Sequence, residues 1–553
     1  MMIVVTENRD DRVTALDCEP ELRPLRSLPL ADHRAMRRIV MKPGSRLLLI
    51  SFLLAIVLPA CRGATGNSSP VLYVSPSGSN TNPGTEQQPF RTLQHAADVA
   101  TPGATVDVRG GPYCQQLVIH VSGDAAGGYI TFRSAPGEKS VLDGSCLTPK
   151  VGPSAMVTLH NVSYIRIQGL EIRNYKTDGR LHIPFGIRVY GSGSHIQILN
   201  NDVHHIEQTY PGRLRSGSGA NGFGIAVYGT DVKAPISNLV VDGNSVHHLQ
   251  TGSSESLVLN GNVRNFRVTR NTVHDNNNIG IDIIGYERTA PDPRVDRARD
   301  GVVSQNLVYN ITSRGNPAYG NDVSADGIYV DGGTRILIER NVIHDVDFGL
   351  ELASEHRNGS TSHIVARNNL IYSCHSAGIT IGGYDRKRGT TEDTVMVNNT
   401  LYKNDTEDTG TGEFQMQFYL RNNIFENNII YVGKSGRALN SRSGREKPNI
   451  PTVTMDHNLF YDPGGPAEGK WPFDGKNYAS FAQYRYATGN GTHSVFADPQ
   501  FVNTSENNFH LRSGSPAHNA GATLGVSIVG ARDLDGHPRI RDGKIDIGSY
   551  ETQ

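Results

Sequence analysis

Three carboxylates fall at matching positions of short segments that each begin with glycine. Counting the glycine as the first residue, Asp282 and Glu351 occupy the third position and Asp331 the fifth. These segments alternate as β-strands do, so both positions face outward from the same side. On stacked strands ~4.8 Å apart, Asp331 lies roughly 8 Å and Asp282 about 10 Å from Glu351 by Cα. Carboxylates so spaced suit an acid/base pair for glycosidic hydrolysis, or calcium ligands.

A solvated polar face is the alternative interpretation of these positions, because outward strand residues are usually polar. Asp and Glu are depleted in strands, however, and like charges on neighbouring strands repel one another. We therefore predict a catalytic or calcium-binding group made of Glu351, Asp331 and Asp282. Tyr329, at the third position of the segment that contains Asp331, belongs to the same group. No organic cofactor is expected.

Long insertions next to these segments are predicted to wall a groove, because insertions mark the working face of a repeat protein. They span 206–223, 285–300 and 311–326, with a shorter one at 176–185. Arginine pairs with carboxylate or sulfate groups and tyrosine stacks on sugars, so the groove is predicted to bind an acidic polysaccharide. The candidate binding residues are Arg188, Tyr190, Tyr228, Arg213, Tyr286 and Arg288. Salt bridges within the loops are the alternative for Arg294, Arg297 and Arg299, since Asp292, Asp296 and Asp300 are close in sequence.

A repeated turn signal identifies the scaffold that positions these residues. Asparagine, any residue, an apolar residue, then His or Tyr recurs from Asn201 to Tyr461, with several steps of similar length. Such a period with short β-branched runs predicts an all-β fold, a right-handed parallel β-helix of about ten coils. We interpret the asparagines as a structural ladder and the His/Tyr positions as a stacked aromatic column rather than a metal site.

Composition and length bound the remaining possibilities. The 553 residues carry a formal net charge of −1, which argues against a nucleic-acid partner. We expect a monomer with one elongated repeat domain. The predicted organisation is 70–150 for the N-terminal cap and first coils, 151–461 for the β-helix and 462–553 for a turn-rich closing segment.

The N-terminus is predicted to direct export. Basic residues followed by an apolar run make 41–61 a secretory signal, while 1–40 is a doubtful leader. The end of this signal resembles a bacterial lipobox, which implies lipid attachment at Cys61 as the only membrane contact; simple secretion is the alternative. Cys114 and Cys146 can pair in an exported protein, and at least one remaining cysteine should be a buried thiol.

Both ends of the chain resemble bacterial secreted β-helix carbohydrate enzymes, notably the family 9 polysaccharide lyases. The resemblance rests on the strand, loop and helix pattern of 71–113, with a capping helix at 92–100, and on the closing segment with its Asp-Ile-Gly-Ser-Tyr-Glu run at 546–551. It implies the fold and a carbohydrate substrate. The chain departs from that family because 151–386 contains only two lysines and no Asp-Asp-Gly cluster. The catalytic residues of the family are therefore not carried over.

The leading functional hypothesis is β-elimination on an acidic polysaccharide. A calcium ion held by Asp282, Asp331 and Glu351, or else Arg188, would neutralise the uronate, and Tyr329 or an arginine would be the base. The second hypothesis is a glycoside hydrolase that uses Glu351 with Asp331 or Asp282. The third is a non-catalytic glycan-binding surface protein.

Overall fold

The computed structural model describes residues 70–212, 220–441, 453–465 and 470–552. Across these residues, three parallel sheets run the length of the repeat region, and successive strands of each coil enter different sheets. This confirms the predicted parallel β-helix. The predicted export signal and Cys61 lie outside the described residues.

The first sheet, called the groove sheet, contains the glycine-led segments. Within the described residues it has eleven strands, one more than the approximate coil number expected from the sequence. In chain order they are Leu117–Ile119, Gly152–His160, His182–Gly191, Phe223–Gly229, Leu257–Gly261, Ile281–Ile284, Asp326–Asp331, Phe348–Ala353, Ile379–Ile381, Phe414–Met416 and Leu439–Ser441.

The second sheet follows the groove sheet in each coil. Its described strands are Val71–Val74, Thr105–Val108, Ile130–Ser134, Ile165–Gln168, Gly193–Leu199, Ile236–Asp242, Val263–Thr269, Arg299–Ser304, Thr334–Glu339, Ser360–Arg367, Thr390–Glu392, Val395–Val397, Leu420–Arg421, Asn423–Glu426 and Val453–Asp456.

Most strands of the third sheet begin directly after an asparagine of the repeated turn. Its described strands are Gly111–Tyr113, Ser140–Asp143, Glu171–Thr177, Asp202–Gln208, Ser245–His247, Thr272–Asn276, Leu307–Ile311, Val342–Val346, Leu370–Tyr372, Thr400–Tyr402, Ile429–Tyr431, Leu459–Tyr461 and Val495–Phe496.

Short helices and two hairpins lie towards the ends of the described chain. Helix Leu93–Val99 begins at the N-cap Thr92 and buries Leu93 and Ala96 in the main core. The others are the helices Phe481–Thr488 and Val526–Val529, the 3₁₀ helix Thr504–Glu506, and hairpins pairing Trp471–Phe473 with Lys476–Tyr478 and Phe501–Asn503 with Asn508–Leu511. No helix in the described part of the chain is long and apolar enough to cross a membrane.

A ladder of buried asparagines fixes the register of the coils. Each side-chain amide donates to the side-chain oxygen of the asparagine on the next coil at 2.8–3.1 Å. The same oxygen also accepts a hydrogen bond from the backbone N–H of the donating asparagine, as Oδ1 of Asn244 does from Asn201. Because every coil offers the same donors and acceptors, the polar turn is satisfied inside the protein. The ladder contains Asn201, Asn244, Asn271, Asn306, Asn341, Asn369, Asn399, Asn428 and Asn458, as the sequence predicted.

Aromatic rings stack beside this ladder. The column runs from His204 through His247, His274, Tyr309 and His344 to Tyr372, with ring centroids 4.7–5.2 Å apart and nearly parallel planes. This geometry supports the predicted aromatic column over these six positions, whereas Tyr402, Tyr431 and Tyr461 pack at interplanar angles of 48° and 68° and do not continue the parallel stack.

The cysteines of the described chain divide into one pair and one thiol. Cys114 and Cys146 form a disulfide with Cα atoms 6.1 Å apart, and Cys374 is free and buried. A disulfide fits the oxidising compartment that an export signal implies.

Candidate functional site

The register of the groove sheet brings the predicted carboxylates together. Asp282 lies opposite Tyr329, which lies opposite Glu351, while Asp331 pairs with Ala353. The three carboxylates therefore sit on adjacent strands in the alignment expected from the glycines. They are the centre of the candidate site.

One central strand of the groove sheet has no leading glycine and was not predicted from the sequence. Leu257–Gly261 lies between Phe223–Gly229 and Ile281–Ile284, and the residue before it is Ser256 rather than glycine. The signal used to find the other strands was therefore absent. As a result, Arg188 lies three strand spacings from Asp282, roughly 14 Å at ~4.8 Å per strand.

The predicted outward positions are more enclosed than a solvated face would be. Asp282, Asp331 and Glu351 are 3%, 4% and 9% exposed, and Tyr329 is 4% exposed. A polar stripe in contact with solvent would not be this inaccessible. The burial favours the functional interpretation, since unpaired carboxylates are rarely buried without a reason.

Other acids surround these three and extend the group. We call the whole set the acidic cluster: Glu255, Asp282, Glu287, Asp326, Asp331, Glu351 and Glu355. Within it, burial and then the neighbouring Glu255 and Asp331 hold the pKa of Asp282 well above its usual range. Burial raises the pKa of Glu351 to about 7, and burial with the nearby Glu287 raises the pKa of Glu255 to about 8.

Asp326 and Glu351 interact directly across adjacent strands of the cluster. Their carboxyl groups are hydrogen-bonded, which requires a proton on one of them. Burial and the adjacent Glu351 both raise the pKa of Asp326, so Asp326 retains the proton more readily. Groups whose environments separate protonated from ionised forms are typical of acid/base sites. Asp326 was not among the predicted site residues because it precedes its strand's glycine.

A buried aspartate on the adjoining turn positions Asp326. One Asp347 oxygen accepts the backbone N–H groups of Ser313, Ser324 and Ala325 at 2.8–2.9 Å, which joins both ends of the 311–326 insertion. The other oxygen lies 2.8 Å from Nδ1 of His375. Burial opposes ionisation, but these hydrogen bonds keep the pKa of Asp347 below its usual value. An ionised Asp347 thus fixes the loop that ends at Asp326.

A second part of the cluster is suited to a cation. Donor atoms of Glu287, Asp331 and His356 lie within 4.8 Å of one another, and Asn260 donates to Glu287 at 2.7 Å. The carboxylates fit calcium, and Oδ1 of Asp282 is buried without a hydrogen-bond partner in the described structure. His356 is not a usual calcium ligand, because calcium prefers oxygen. The oxygen donors that converge here are those of Asp331 and Glu287, whereas Glu351 of the predicted calcium set is hydrogen-bonded to Asp326 instead.

The predicted binding residues separate into two places. Arg188 stacks on Tyr190, 4.0 Å from its ring centroid, and Tyr190 stacks on His160 at 4.1 Å. Burial lowers the pKa of Arg188, and burial followed by Glu255 raises that of Tyr228, which faces the acidic cluster. Arg213 lies outside the described residues.

The loop arginines are largely engaged within the protein. Arg294 pairs with Asp292 at 2.6 Å, whereas Arg297 packs on Tyr286 and donates to backbone carbonyls, including that of Ser360 at 2.7 Å. Arg299 likewise donates to backbone carbonyls and to Asn262, while Arg288 is exposed. The salt-bridge alternative thus holds for Arg294, and in the described 285–300 loop Arg297 and Arg299 are engaged with backbone carbonyls rather than with acids.

Comparison with known proteins identifies the class. A model of the Pel9A-like right-handed β-helix region matches residues 72–247, and a model of the right-handed β-helix region matches 303–483. The chain is thus a right-handed β-helix protein related to pectate lyases, as the sequence resemblance predicted. The Pel9A-like match ends before Glu255, the first residue of the acidic cluster.

Individual relatives define the family. The chain is 38% identical over 469 residues to the uncharacterized protein YwoF of Bacillus subtilis, spanning 85% of this chain and 96% of that protein. The chain therefore belongs to the YwoF family. It is also 32% identical over 120 residues to the pectate lyase PEL9 of Emericella nidulans, which spans 21% of this chain and 29% of that enzyme.

Two solved structures are similar across most of the chain. XylC in complex with xylose is 11% identical with a TM-score of 0.47, covering 87% of this chain and 98% of that one. Pectate lyase Pel9A is 15% identical with a TM-score of 0.46, covering 88% and 97%.

Proposed function

We propose that this protein degrades a polysaccharide bound along the groove sheet and that the acidic cluster hydrolyses the glycosidic bond. The observation that carries the proposal is the set of nearly buried carboxylates on three adjacent strands, with the pKa of Glu351 raised to about 7 by burial. Near neutral pH such a cluster contains both protonated and ionised carboxyl groups. Hydrolysis of a glycoside needs one of each.

The roles follow from the positions of the groups. Asp331 or Asp282, whose pKa is held well above its usual range by burial, is protonated and donates its proton to the glycosidic oxygen, and the leaving sugar departs with that proton. Glu351, which accepts a hydrogen bond from Asp326, is ionised and takes a proton from the water that attacks the sugar carbon, so that carbon gains a hydroxyl group. Asp326 sets the proton affinity of Glu351 through their hydrogen bond. Tyr228 lies on the same sheet towards the N-terminus and supplies a stacking surface, whereas the Tyr190 ring is covered by Arg188 and His160.

Elimination on an acidic polysaccharide is the second candidate, and the likeness to pectate lyases favours it. Calcium bound by Asp331 and Glu287 would supply positive charge for a uronate carboxylate. The proposed base needs revision, because burial and the neighbouring Asp331 hold the pKa of Tyr329 well above its usual range. His356, with Nε2 3.9 Å from Asp331, is a better placed base than Tyr329.

The cellular location is part of the same proposal. A polysaccharide is an extracellular substrate, so we place the mature protein outside the cytoplasm, anchored by a lipid on Cys61 and acting as a monomer. The Cys114–Cys146 disulfide supports an oxidising compartment. Metabolic labelling with a radioactive fatty acid tests the anchor, since a Cys61→Ser variant should take up no label.

The decisive experiment incubates the protein with acidic and neutral polysaccharides, with calcium or with a chelator. New reducing ends without ultraviolet absorbance indicate hydrolysis, whereas new ends with absorbance indicate an unsaturated uronate and elimination. Glu351→Gln and Asp331→Asn should abolish cleavage, and the exposed Glu506→Gln is the matched control. If these two variants change only affinity for a polysaccharide, the protein is a glycan-binding protein and the catalytic proposal is wrong.

A further inference from the structure

The third sheet carries a second row of side chains beside the stacked aromatic column. Each residue that follows a column member adopts a left-handed backbone conformation, with φ of 53° at His205, 53° at His248 and 54° at Asp275. We call this row the second column. Its members project next to the rings without joining their stack. Donor atoms therefore occur in adjacent pairs on neighbouring coils.

Three donors converge where the two columns meet. One ligand atom from each of His248, His274 and Asp275 lies within 4.8 Å of the others. Four-coordinate zinc, with bonds of about 2.0–2.2 Å, separates its ligands by roughly 3.5 Å, so small rotations would bring these atoms into place. His247 adds a third imidazole next to these donors, with Nδ1 2.7 Å from Nδ1 of His248.

Stacking accounts for only part of this arrangement. The ring of His274 lies 4.8 Å from those of both His247 and Tyr309, which explains an aromatic residue at that position. It leaves Asp275 unexplained, while His248 stacks on His205 of the second column at 5.3 Å. Equivalent left-handed positions on other coils are filled by Asn310, Ser373 and Lys403, so the backbone does not require a histidine or an aspartate there.

We propose that His248, His274 and Asp275 form a binding site for a zinc-class transition-metal ion. Two imidazoles and a carboxylate match zinc, whereas calcium prefers oxygen ligands alone. His247 and His274 are register partners on adjacent parallel strands, so the backbone holds the donors in place before the metal binds. The site lies on a different sheet from the acidic cluster, and its existence does not depend on the proposed hydrolysis.

The test is a zinc titration of tag-free, chelator-treated protein, followed by competition with a chromophoric chelator. The double variant His248→Asn, Asp275→Asn keeps residues that tolerate a left-handed backbone. The control is His344→Asn, Asp345→Asn, which removes a His–Asp pair of similar geometry, 2.6 Å apart, from a coil whose second-column neighbour is Asn310. Circular dichroism without metal checks that both variants fold.

We expect the first double variant to lose one equivalent of bound zinc, or to bind it at least about tenfold more weakly, while the control matches the wild type. Other His and Asp groups, such as Asp456 with His457 and His493, would contribute equally to all three proteins. Unchanged stoichiometry and affinity in the first variant would overturn the proposal. An equal loss in the control would overturn it too, because zinc would then bind to any His–Asp pair of this geometry and not to a specific site.

Discussion

Replacing Glu351 with glutamine should make the protein more stable at alkaline pH and inactive at every pH. Burial raises the pKa of Glu351 from 4.5 to about 7. At about 1.36 kcal/mol per pKa unit, this displacement corresponds to about 3 kcal/mol. That free energy opposes folding whenever the side chain is ionised in the folded protein.

The sign of the pH dependence follows from which state binds the proton more tightly. Because the folded-state pKa is raised, the folded protein holds the proton more strongly than the unfolded chain does. The favourable contribution is complete below pH 4.5 and is lost as the pH rises to about 7. Glutamine carries no charge, so the variant lacks this loss. By size scaling, 3 kcal/mol is roughly 3 °C in Tm for a chain of this length.

Thermal unfolding followed by circular dichroism in the presence of chelator tests this reasoning. The Tm of Glu351→Gln minus that of the wild type should be near zero or negative at pH 4 and positive at pH 8. Glu506→Gln, an exposed control, should show no such trend. A Glu351→Gln variant that is equally destabilised at both pH values would refute the argument, because Glu351 would then be ionised with a favourable partner.

Activity provides the second half of the same experiment. Removal of a general base typically costs about 10²–10⁴-fold in rate. Gln cannot accept the required proton at any pH, so the loss should persist over the whole profile. A variant that gains stability at pH 8 but keeps its activity would leave the pKa argument intact and exclude Glu351 as the base.

Three further changes test the scaffold. Asn306→Ala interrupts the ladder and leaves buried backbone and amide groups without partners, so the free energy of unfolding should fall by about 1–3 kcal/mol in denaturant titrations. Arg539 and Glu551 form a buried ion pair, with 3.1 Å between Nε and Oε1. Arg539→Met removes this partner of Glu551 and should lower the free energy of unfolding by about 3–5 kcal/mol, seen as a large drop in Tm or in soluble yield. A double Arg539→Met, Glu551→Gln variant should recover part of that loss. Replacing both Cys114 and Cys146 with alanine should cost about 3 kcal/mol, and a reducing agent should lower the Tm of the wild type but not of this variant.

The coil architecture is accessible from the sequence because its determinants are local and repeated. Each asparagine turn specifies the same hydrogen bonds, so Asn201 and Asn458 report on the fold in the same way despite their separation. The strand Leu257–Gly261 was not predicted, because it pairs in the same register as its neighbours without a leading glycine. Periodicity therefore determines the fold more reliably than any single motif determines a strand.

The site is only partly accessible by the same reasoning. Alternation and glycine alignment bring Asp282, Asp331 and Glu351 together, since all three lie inside regular strands. Glu255 and Asp326 enter from a turn and from the end of an insertion, where no period applies. The position of Asp326 depends on Asp347, whose hydrogen bonds cross from one turn to another loop and leave no pattern in the sequence.

The β-helix scaffold explains how the acidic cluster can be enclosed where the chemistry is proposed. Enclosing several like charges opposes folding, and neutral side chains at Asp282 or Glu351 would remove that cost. A stack of coils can bear it because each strand of the site is fixed on both sides by parallel neighbours, and the asparagine ladder continues through the same coils. Stability is thus supplied away from the groove, and the carboxylates can keep the raised pKa values that acid catalysis near neutral pH requires.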